Sequence, residues 1–245
     1  FIVPDRYRSG AQPGQIVKRE IMEYPGPKRE AQGRIVRVLG EPSEPRVLTE
    51  AAMEMYNLPS AWPAAVTSAA GRFDREVGQN ESAGRVDLRK LPLVTIDGED
   101  ARDFDDAVFA EPAGDGWRLI VAIADVSHYI RKADPIDVEA RRRGTSVYFP
   151  DRVVPMLPEE LSNELCSLKP QVDRLCMVCE MQIDARGTVT RAKFYRGIMH
   201  SHARLTYNQV DALHRGADPE GYANIRRLEP VIENLYGVYK VLAAA

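Results

Sequence analysis

The chain has 245 residues, of which 44% are hydrophobic and 28% charged, and its net charge is −3. This is the composition of an ordinary globular protein, long enough for one large domain or two smaller ones with cores of their own. No apolar run approaches the ~20 residues that cross a bilayer, which argues against a membrane protein. The charge balance excludes a chain that is basic throughout, so any contact with nucleic acid must come from local basic clusters.

Residues 1–50 are rich in short strand signals. In the segments QIVKREI and GRIVRVLG, apolar residues follow one another or alternate with polar ones, and glycine and proline residues separate such segments. This pattern is typical of a small antiparallel barrel or part of one. Basic residues on and around these strands could follow a phosphate backbone, although a solvated sheet face would look the same. They are Lys18, Arg19, Lys28, Arg29, Arg34 and Arg37.

Residues 51–82 are predicted to be a helical connector between two domains. The segment LTEAAMEMYNL has apolar residues at helical spacing, and Thr49 is a candidate N-cap. Pro59 and Pro63 then interrupt the pattern, and AVTSAAGRFDREV indicates a second short helix.

Residues 83–245 are predicted to form a larger α+β domain. Strands outnumber helices and the helices are grouped late, which is typical of this class. The predicted strands are LPLVTI, DAVFAEP, GWRLIVAIADVSHYI, RLCMVCEMQID, TVTRAKFYRGIM and SHARLTY. AGDG and DARG are predicted turns, IDVEARRRG is a predicted helix that ends at Gly144, and YANIRRLEPVIENLYGVYKVLAAA is a predicted final helix.

The cysteines favour a reducing compartment, and we expect a cytoplasmic protein. There are three of them, Cys166, Cys176 and Cys179, an odd number that does not suit a disulfide scaffold. Cys176 and Cys179 form a C-x-x-C pair, but the surrounding RLCMVCEMQI has the character of a buried strand, on which residues three apart point to opposite faces. No second pair or suitably spaced histidines accompany it, so packing in a sheet is the favoured interpretation.

The segment TIDGEDARDFDDAV carries the strongest chemical signal. Residues 97–106, here called the acidic loop, contain six acidic side chains and one basic one, Arg102, which gives a local charge of −5. Like charges at this density raise each other's pKa and oppose folding. The acids are Asp97, Glu99, Asp100, Asp103, Asp105 and Asp106.

The spacing excludes one function for this loop and disfavours a second. A calcium-binding EF-hand that starts at Asp97 would need acids, a glycine and a glutamate at positions where the chain has other residues. An aspartyl-phosphate nucleophile at Asp103 should directly follow an apolar parallel strand, but GEDAR precedes it. A Mg²⁺ site for phosphodiester cleavage fits the spacing, because a strand delivers Asp97 and the other aspartates follow a short loop. A solvated acidic loop fits equally well on these grounds alone.

Around this loop the chain resembles the RNase II/RNase R (RNB-domain) family of 3′→5′ exoribonucleases. The matching stretches run almost without a break over residues 83–207, from AGRVDLRKLPLVTIDGEDARDFDDAV through GWRLIVAIADVSHYI to SHARLTY. VPDRY and GRIVRVLGE resemble parts of the cold-shock-like OB domain that precedes the catalytic domain in that family. The resemblance implies an α+β fold with a partial OB-like barrel at 1–50, a connector at 51–82 and the N-terminal part of a mixed α/β catalytic domain at 83–245.

The resemblance also implies an activity and a site. It implies processive hydrolysis of single-stranded RNA from the 3′ end to nucleoside 5′-monophosphates, with one or two Mg²⁺ ions held at Asp97, Asp103, Asp105 and Asp106. Asp97 and Asp106 match the direct metal ligands of the family, and Asp103 matches a supporting residue. Asp105 matches the aspartate on which the chemical step most depends.

Further residues are expected to contact the RNA. Tyr148, in TSVYFP, matches a tyrosine that packs against the 3′-terminal base, and base stacking on an aromatic ring is worth ~1–3 kcal/mol. A core aromatic would give the same pattern. Arg141, Arg142 and Arg143 could meet phosphates, and a solvated helix face would again look the same.

The expected protein is a monomer that uses no small-molecule cofactor and acts on the 3′ end of single-stranded RNA. Because the catalytic domain of the family continues beyond the stretch that matches, we expect the chain to be a fragment. The alternative function is an RNA-binding module without catalysis.

Overall fold

The structure, a computed structural model, describes residues 1–74, 76–217 and 225–245. Its strands are β1 (Ile16–Glu23), β2 (Gln32–Gly40), β3 (Val86–Asp87), β4 (Val94–Asp97), β5 (Asp106–Ala113), β6 (Gly116–Ala124), β7 (Val147–Tyr148), β8 (Val153–Val154), β9 (Arg174–Ile183), β10 (Val189–Met199) and β11 (Ala203–Thr206). Its α-helices are α1 (Pro45–Met55), α2 (Ala64–Ala70), α3 (Val126–Tyr129), α4 (Pro135–Arg143), α5 (Tyr207–His214) and α6 (Glu229–Ala244).

The chain divides into two compact units. The first comprises residues 1–64 and 139–156, and the second comprises residues 65–138 and 157–245. The predicted domain boundaries near residues 50 and 82 stay predictions. Residues 139–156, which the sequence placed in the larger domain, belong to the first unit, where the hydroxyl of Thr49 donates a 2.9 Å hydrogen bond to Asp151.

The first unit is built on an antiparallel pair, β1 with β2, where the sequence predicted strands. The pairing contains three shifts of register, of the kind that β-bulges introduce. Helix α1 packs against both strands. Most basic residues that the sequence placed on this surface are paired with carboxylates, namely Lys18 with Glu54, Arg29 with Glu23, Arg34 with Glu20 and Arg37 with Glu50.

Helix α1 starts earlier than the sequence predicted. It begins at Pro45, with Glu44 at the N-cap, so Thr49 is an interior residue and not the cap. Proline suits the first helical position, because its fixed φ matches the helix and its missing N–H would have no partner there. The side chain of Thr49 is buried, and its hydroxyl donates a hydrogen bond to Asp151 instead of capping the helix.

The second unit is organised by a seven-stranded mixed sheet in the order β11-β4-β5-β6-β9-β10-β3. The central pairs are antiparallel, while β11 runs parallel to β4 and β3 runs parallel to β10. Side chains such as Leu93, Ile120, Leu175 and Leu205 are fully buried on or beside it. The predicted α+β class is confirmed.

Two predicted strands are shorter than expected. β6 stops at Ala124, and the following VSHY forms the short helix α3 after Asp125. β11 stops at Thr206, because the side chain of Thr206 accepts a hydrogen bond from the backbone N–H of Gln209 and starts α5. This reciprocal capping box satisfies backbone donors that a continued strand would place elsewhere.

Helix α6 packs against β5, β6 and β9 of the large sheet. Val238 packs with Ala110 and Ile183, and Trp117 lies against this cluster. Gly237 lies against the Trp117 ring, since an added Cβ would come within 2.4 Å of it. The sequence predicted a helix from Tyr222, but residues 222–224 lie outside the described residues.

The C-x-x-C pair lies in β9, as predicted. Cys176 is fully buried, while Cys179 is partly exposed on the other face of the strand. Burial raises the pKa of the Cys176 thiol to about 12. Over the part of the chain that the structure describes, no group of three or more His, Cys, Asp or Glu side chains is arranged to hold a metal ion.

None of the helices within residues 1–74, 76–217 and 225–245 has the length and the apolar character that crossing a membrane requires.

Candidate functional site

The acidic loop joins two neighbouring strands of the large sheet. β4 ends at Asp97 and β5 begins at Asp106, and the two strands pair antiparallel through Val94 and Val108. If this register is followed along the strands, Asp97 comes opposite Asp105. The sheet therefore brings the two ends of the loop together where β4 ends and β5 begins. Most of the aspartates predicted to be catalytic lie at these two ends.

Residues from β11 and α5 hold the first half of the loop. The guanidinium of Arg204 donates hydrogen bonds of 2.7 Å to the carbonyl of Gly98 and 2.6 Å to that of Glu99. The side-chain amide of Asn208 donates to the Glu99 carboxylate at 2.8 Å. Because β11 is bonded to β4 in register, with Thr206 opposite Asp97, these contacts tie the loop to the strand beside it.

A different segment holds the second half of the loop. Phe104 is buried between Asp103 and Asp105, and its backbone N–H donates to the hydroxyl of Ser167 at 3.1 Å. The carbonyl of Asp105 accepts a 2.9 Å hydrogen bond from the N–H of Ala124 at the end of β6. The aspartates thus project from a backbone that is fixed on both sides.

Asp105 and Asp106 lie in the negative field of neighbouring carboxylates. Partial burial and the charges of Asp103, Asp106 and Asp97 raise the pKa of Asp105. Partial burial and the charge of Asp97 raise the pKa of Asp106. Among the described residues, no lysine or arginine forms a salt bridge with Asp97, Asp105 or Asp106. The site is therefore suited to a cation in both charge and ligand type, because carboxylate oxygens are the hard ligands that Mg²⁺ prefers.

The side chains do not form a closed ligand set as they are placed. Over the described residues, no three carboxylate, histidine or cysteine side chains lie close enough to hold one ion. Asp105 and Asp106 are only partly covered and are more exposed to solvent than Asp97 and Asp103. The donor chemistry fits a divalent cation, and binding one would require these exposed side chains to rotate toward each other.

A cleft of about 1080 Å³ opens beside the loop in the second unit. Arg102, Phe104 and Arg204 line it, so it lies against the backbone segment that carries the aspartates. The four predicted catalytic aspartates do not contribute to the part of its wall that the structure describes. Acidic residues outnumber basic ones in the lining, which makes the cleft a poor phosphate site; the acids are Asp74, Glu99, Glu159, Glu160 and Glu164.

A buried ion pair lies where β6 ends. Arg85 donates to the Asp125 carboxylate at 2.7 Å, and both side chains are at most 4% exposed. Burial alone would raise the pKa of Asp125, but hydrogen bonds from Arg85 and from the hydroxyl of Ser127 outweigh it and lower that pKa. The N–H of Asp125 donates to Leu175 on β9, so this pair joins the strands that support Asp105.

The histidines occupy structural positions. His128 contacts both Arg85 and Glu81, His202 bonds the backbone of Arg89, and His214 stacks on Tyr236. No hydrogen bond of the described residues links any of these three to the acidic loop.

The residues predicted to bind RNA lie in the first unit. Tyr148 is 64% exposed on the short β7–β8 hairpin. Arg142 is largely exposed and bonded to Glu139. Arg143 is only 4% exposed, and its guanidinium bonds Glu139 and two backbone carbonyls and stacks on Trp62 at 3.5 Å. The side chain of Arg143 is therefore buried in contacts within the protein, while that of Arg142 lies at the surface.

The sequence analysis missed the side chains that hold the loop, among them Arg204 and Ser167. Arg204 alternates with apolar residues in SHARLTY, a pattern that indicates only the polar face of a strand. Ser167 stands between Cys166 and Leu168 in a buried apolar segment, and all three are buried. A hydroxyl within such a segment signals a buried hydrogen bond, but its partner is more than 60 residues away and no local pattern identifies it.

The chain belongs to the RNB domain family, whose sequence profile matches residues 85–245. A second profile, that of the cold shock domain, matches residues 1–63. Ribonuclease R of Vibrio parahaemolyticus is 51% identical to the chain over 246 residues, and so is Ribonuclease R of Escherichia coli. Each alignment covers 100% of this chain, and the chain spans about 30% of the length of these relatives.

Solved structures agree with this assignment. Mycoplasma genitalium RNase R in complex with double-stranded RNA superimposes with a TM-score of 0.87 at 29% identity, over 99% of this chain and 43% of that one. The same enzyme in complex with ribose-methylated single-stranded RNA gives a TM-score of 0.86 over 99% of this chain and 38% of that one. The resemblance found in the sequence is confirmed.

Proposed function

We propose that the chain is part of a Mg²⁺-dependent exoribonuclease that hydrolyses single-stranded RNA processively from its 3′ end and releases nucleoside 5′-monophosphates. The observation that carries the proposal is the acidic loop. Asp97, Asp105 and Asp106 come together on an anchored backbone where β4 ends and β5 begins, and no lysine or arginine of the described residues forms a salt bridge with these three. An arrangement that raises the pKa of its own carboxylates opposes folding, and a bound cation would relieve that cost. Membership of the RNB domain family supports the nuclease activity.

The four aspartates have separate roles in this proposal. Asp97 and Asp106 would hold the ion from adjacent strands, and Asp103 would support them. Asp105, whose backbone is fixed by Ala124, would orient the attacking water at the scissile phosphate. When bound, Mg²⁺ would supply positive charge that offsets the negative charge of the phosphate and eases the loss of a proton from the attacking water.

The first unit carries the other residues that we propose to contact RNA. Tyr148 has an exposed ring on which the 3′-terminal base could stack. Arg141 and Arg142, at the exposed end of α4, would meet phosphates, while Arg143 would stabilise the protein around Trp62. Complexes of Mycoplasma genitalium RNase R with RNA support this choice of partner. We further propose that the protein acts as a cytoplasmic monomer.

An assay with labelled RNA tests the proposal. The full-length protein is incubated with one single-stranded RNA that is labelled at the 3′ end in one sample and at the 5′ end in another. The 3′ label should appear first, in mononucleotides, while the 5′ label should pass from full-length RNA directly to the shortest products without intermediates, and a chelator should stop both reactions.

Three outcomes would contradict the proposal in different ways. Release of the 5′ label in mononucleotides before the 3′ label would show that hydrolysis starts at the 5′ end. Undiminished hydrolysis in the chelator would show that the reaction needs no metal ion. Binding of RNA without release of any mononucleotide would favour the alternative function, an RNA-binding module.

A further inference from the structure

Ser167 makes an unusual pair of contacts with the acidic loop. Its side chain is fully buried, and its hydroxyl accepts a 3.1 Å hydrogen bond from the backbone N–H of Phe104. The same hydroxyl donates a 3.0 Å hydrogen bond to the backbone carbonyl of Arg102. The two bonded residues stand directly before and after Asp103, so one side chain spans the backbone of that aspartate.

The segment that carries Ser167 is itself held in place. The backbone N–H of Leu168 donates to the carbonyl of Phe104 at 2.8 Å, which adds a third contact beside the hydroxyl. The guanidinium of Arg174, which is 4% exposed, donates to the carbonyl of Ser167 at 2.9 Å. Because Arg174 is the first residue of β9, this contact fixes the serine relative to the large sheet.

These contacts determine the side of the backbone from which the side chains of two aspartates project. Phe104 is 8% exposed, and in an extended backbone the residues on either side of it face the opposite way. Holding the N–H and carbonyl of Phe104 and the carbonyl of Arg102 therefore fixes the side from which Asp103 and Asp105 project. A hydroxyl suits this position, because it donates and accepts at once.

We propose that Ser167 is a positioning residue for catalysis: through the backbone of residues 102–104 it holds Asp103 and Asp105 in the geometry that the reaction requires. This role rests on the proposed exoribonuclease function. Misplacing a catalytic group by about 1 Å can cost on the order of 100-fold in rate. Ser167 does not reach the RNA in this role, so substrate binding should not depend on it.

The kinetic test compares two buried serines in the full-length protein. Ser167→Ala removes both contacts to the loop, whereas Ser201→Ala removes one hydrogen bond, to the carbonyl of Ala203, at a residue that is also fully buried. Ser167→Ala should lower kcat at least tenfold and leave the KM for single-stranded RNA within about twofold of the wild type, in keeping with the loss of orientation. Ser201→Ala should leave both constants close to the wild type.

A measurement that needs no turnover checks the mechanism. Hydrogen exchange of the Phe104 amide in the 245-residue chain should be at least tenfold faster in Ser167→Ala than in the wild type, and unchanged in Ser201→Ala. If Ser167→Ala does not fold, Ser167→Cys takes its place. The thiol bonds more weakly than a hydroxyl, so this variant should show faster exchange and a lower kcat, each to a smaller extent.

The outcomes separate the two proposals. If the wild type hydrolyses RNA and the Ser167 variants match Ser201→Ala in kcat, the positioning role is wrong. A lowered kcat with unchanged exchange at Phe104 would also overturn it. If the wild type does not hydrolyse RNA, the proposed function fails, and unchanged exchange would then show separately that Ser167 does not hold the loop.

Discussion

The aspartates of the second unit fall into two groups by their partners. Asp125 is buried against Arg85, and its hydrogen bonds lower its pKa despite the burial. Asp105 and Asp106 form no salt bridge with a lysine or arginine of the described residues, and burial and neighbouring carboxylates raise their pKa. The first arrangement favours the charged form and stabilises the fold. The second disfavours the charged form, as expected at a site that binds a cation.

The Arg85–Asp125 pair leads to a prediction about stability. Arg85→Met should lower the free energy of unfolding by about 3–5 kcal/mol at pH 8, because it leaves a buried carboxylate without its partner. In the variant the folded-state pKa of Asp125 rises above its unfolded value. The folded variant therefore binds a proton more readily than the unfolded chain, and the deficit should shrink as the pH falls toward 5. Urea unfolding at both pH values measures this.

Arg89→Met is the matched control. Arg89 pairs with Asp87 and Asp173 on the surface, where solvent weakens ion pairs. Its substitution should cost much less than that of Arg85. An equal loss from both substitutions, or a deficit for Arg85→Met that does not change with pH, would contradict the role given to the buried pair.

Local sequence signals predicted individual elements well and their connections poorly. Hydrophobic alternation located the long strands, and charge density located the acidic loop. The predicted start of α1 at Thr49 was wrong. The helix begins at Pro45, and proline is a stronger signal for a first helical position than threonine is for an N-cap here. Ser167 was not predicted, since its role depends on a tertiary contact with Phe104 that no spacing encodes.

The packing of α6 leads to a prediction at the level of elements. Gly237→Ala would normally favour a helix by about 1 kcal/mol. Here the new methyl would come within 2.4 Å of the Trp117 ring, so Trp117 or the helix must move. We expect a net loss of about 1–3 kcal/mol, the usual cost of overpacking, measured by urea unfolding.

Lys240→Ala provides the comparison for this helix. Lys240 is exposed in the same helix, so its substitution should change stability by less than about 0.5 kcal/mol. If Gly237→Ala is instead more stable than the wild type, α6 does not pack on Trp117 as described.

For the whole molecule, charge placement carries more information than net charge. The chain is slightly acidic, and many of its basic side chains are paired with carboxylates, including most of those on β1 and β2. The sequence predicted those residues as possible phosphate contacts because it could not show their partners. The acidic loop was identifiable without an alignment, because six acids within ten residues need a structural or chemical reason.

The most direct test of the acidic loop is the rate of mononucleotide release by Asp105→Asn in the full-length protein with Mg²⁺, measured beside RNA affinity. Asp115→Asn, in the exposed turn between β5 and β6, is the charge-matched control. We predict that Asp105→Asn loses about 100-fold or more in turnover, the scale on which electrostatic groups in active sites act, and retains RNA binding. Turnover close to that of Asp115→Asn would contradict the account.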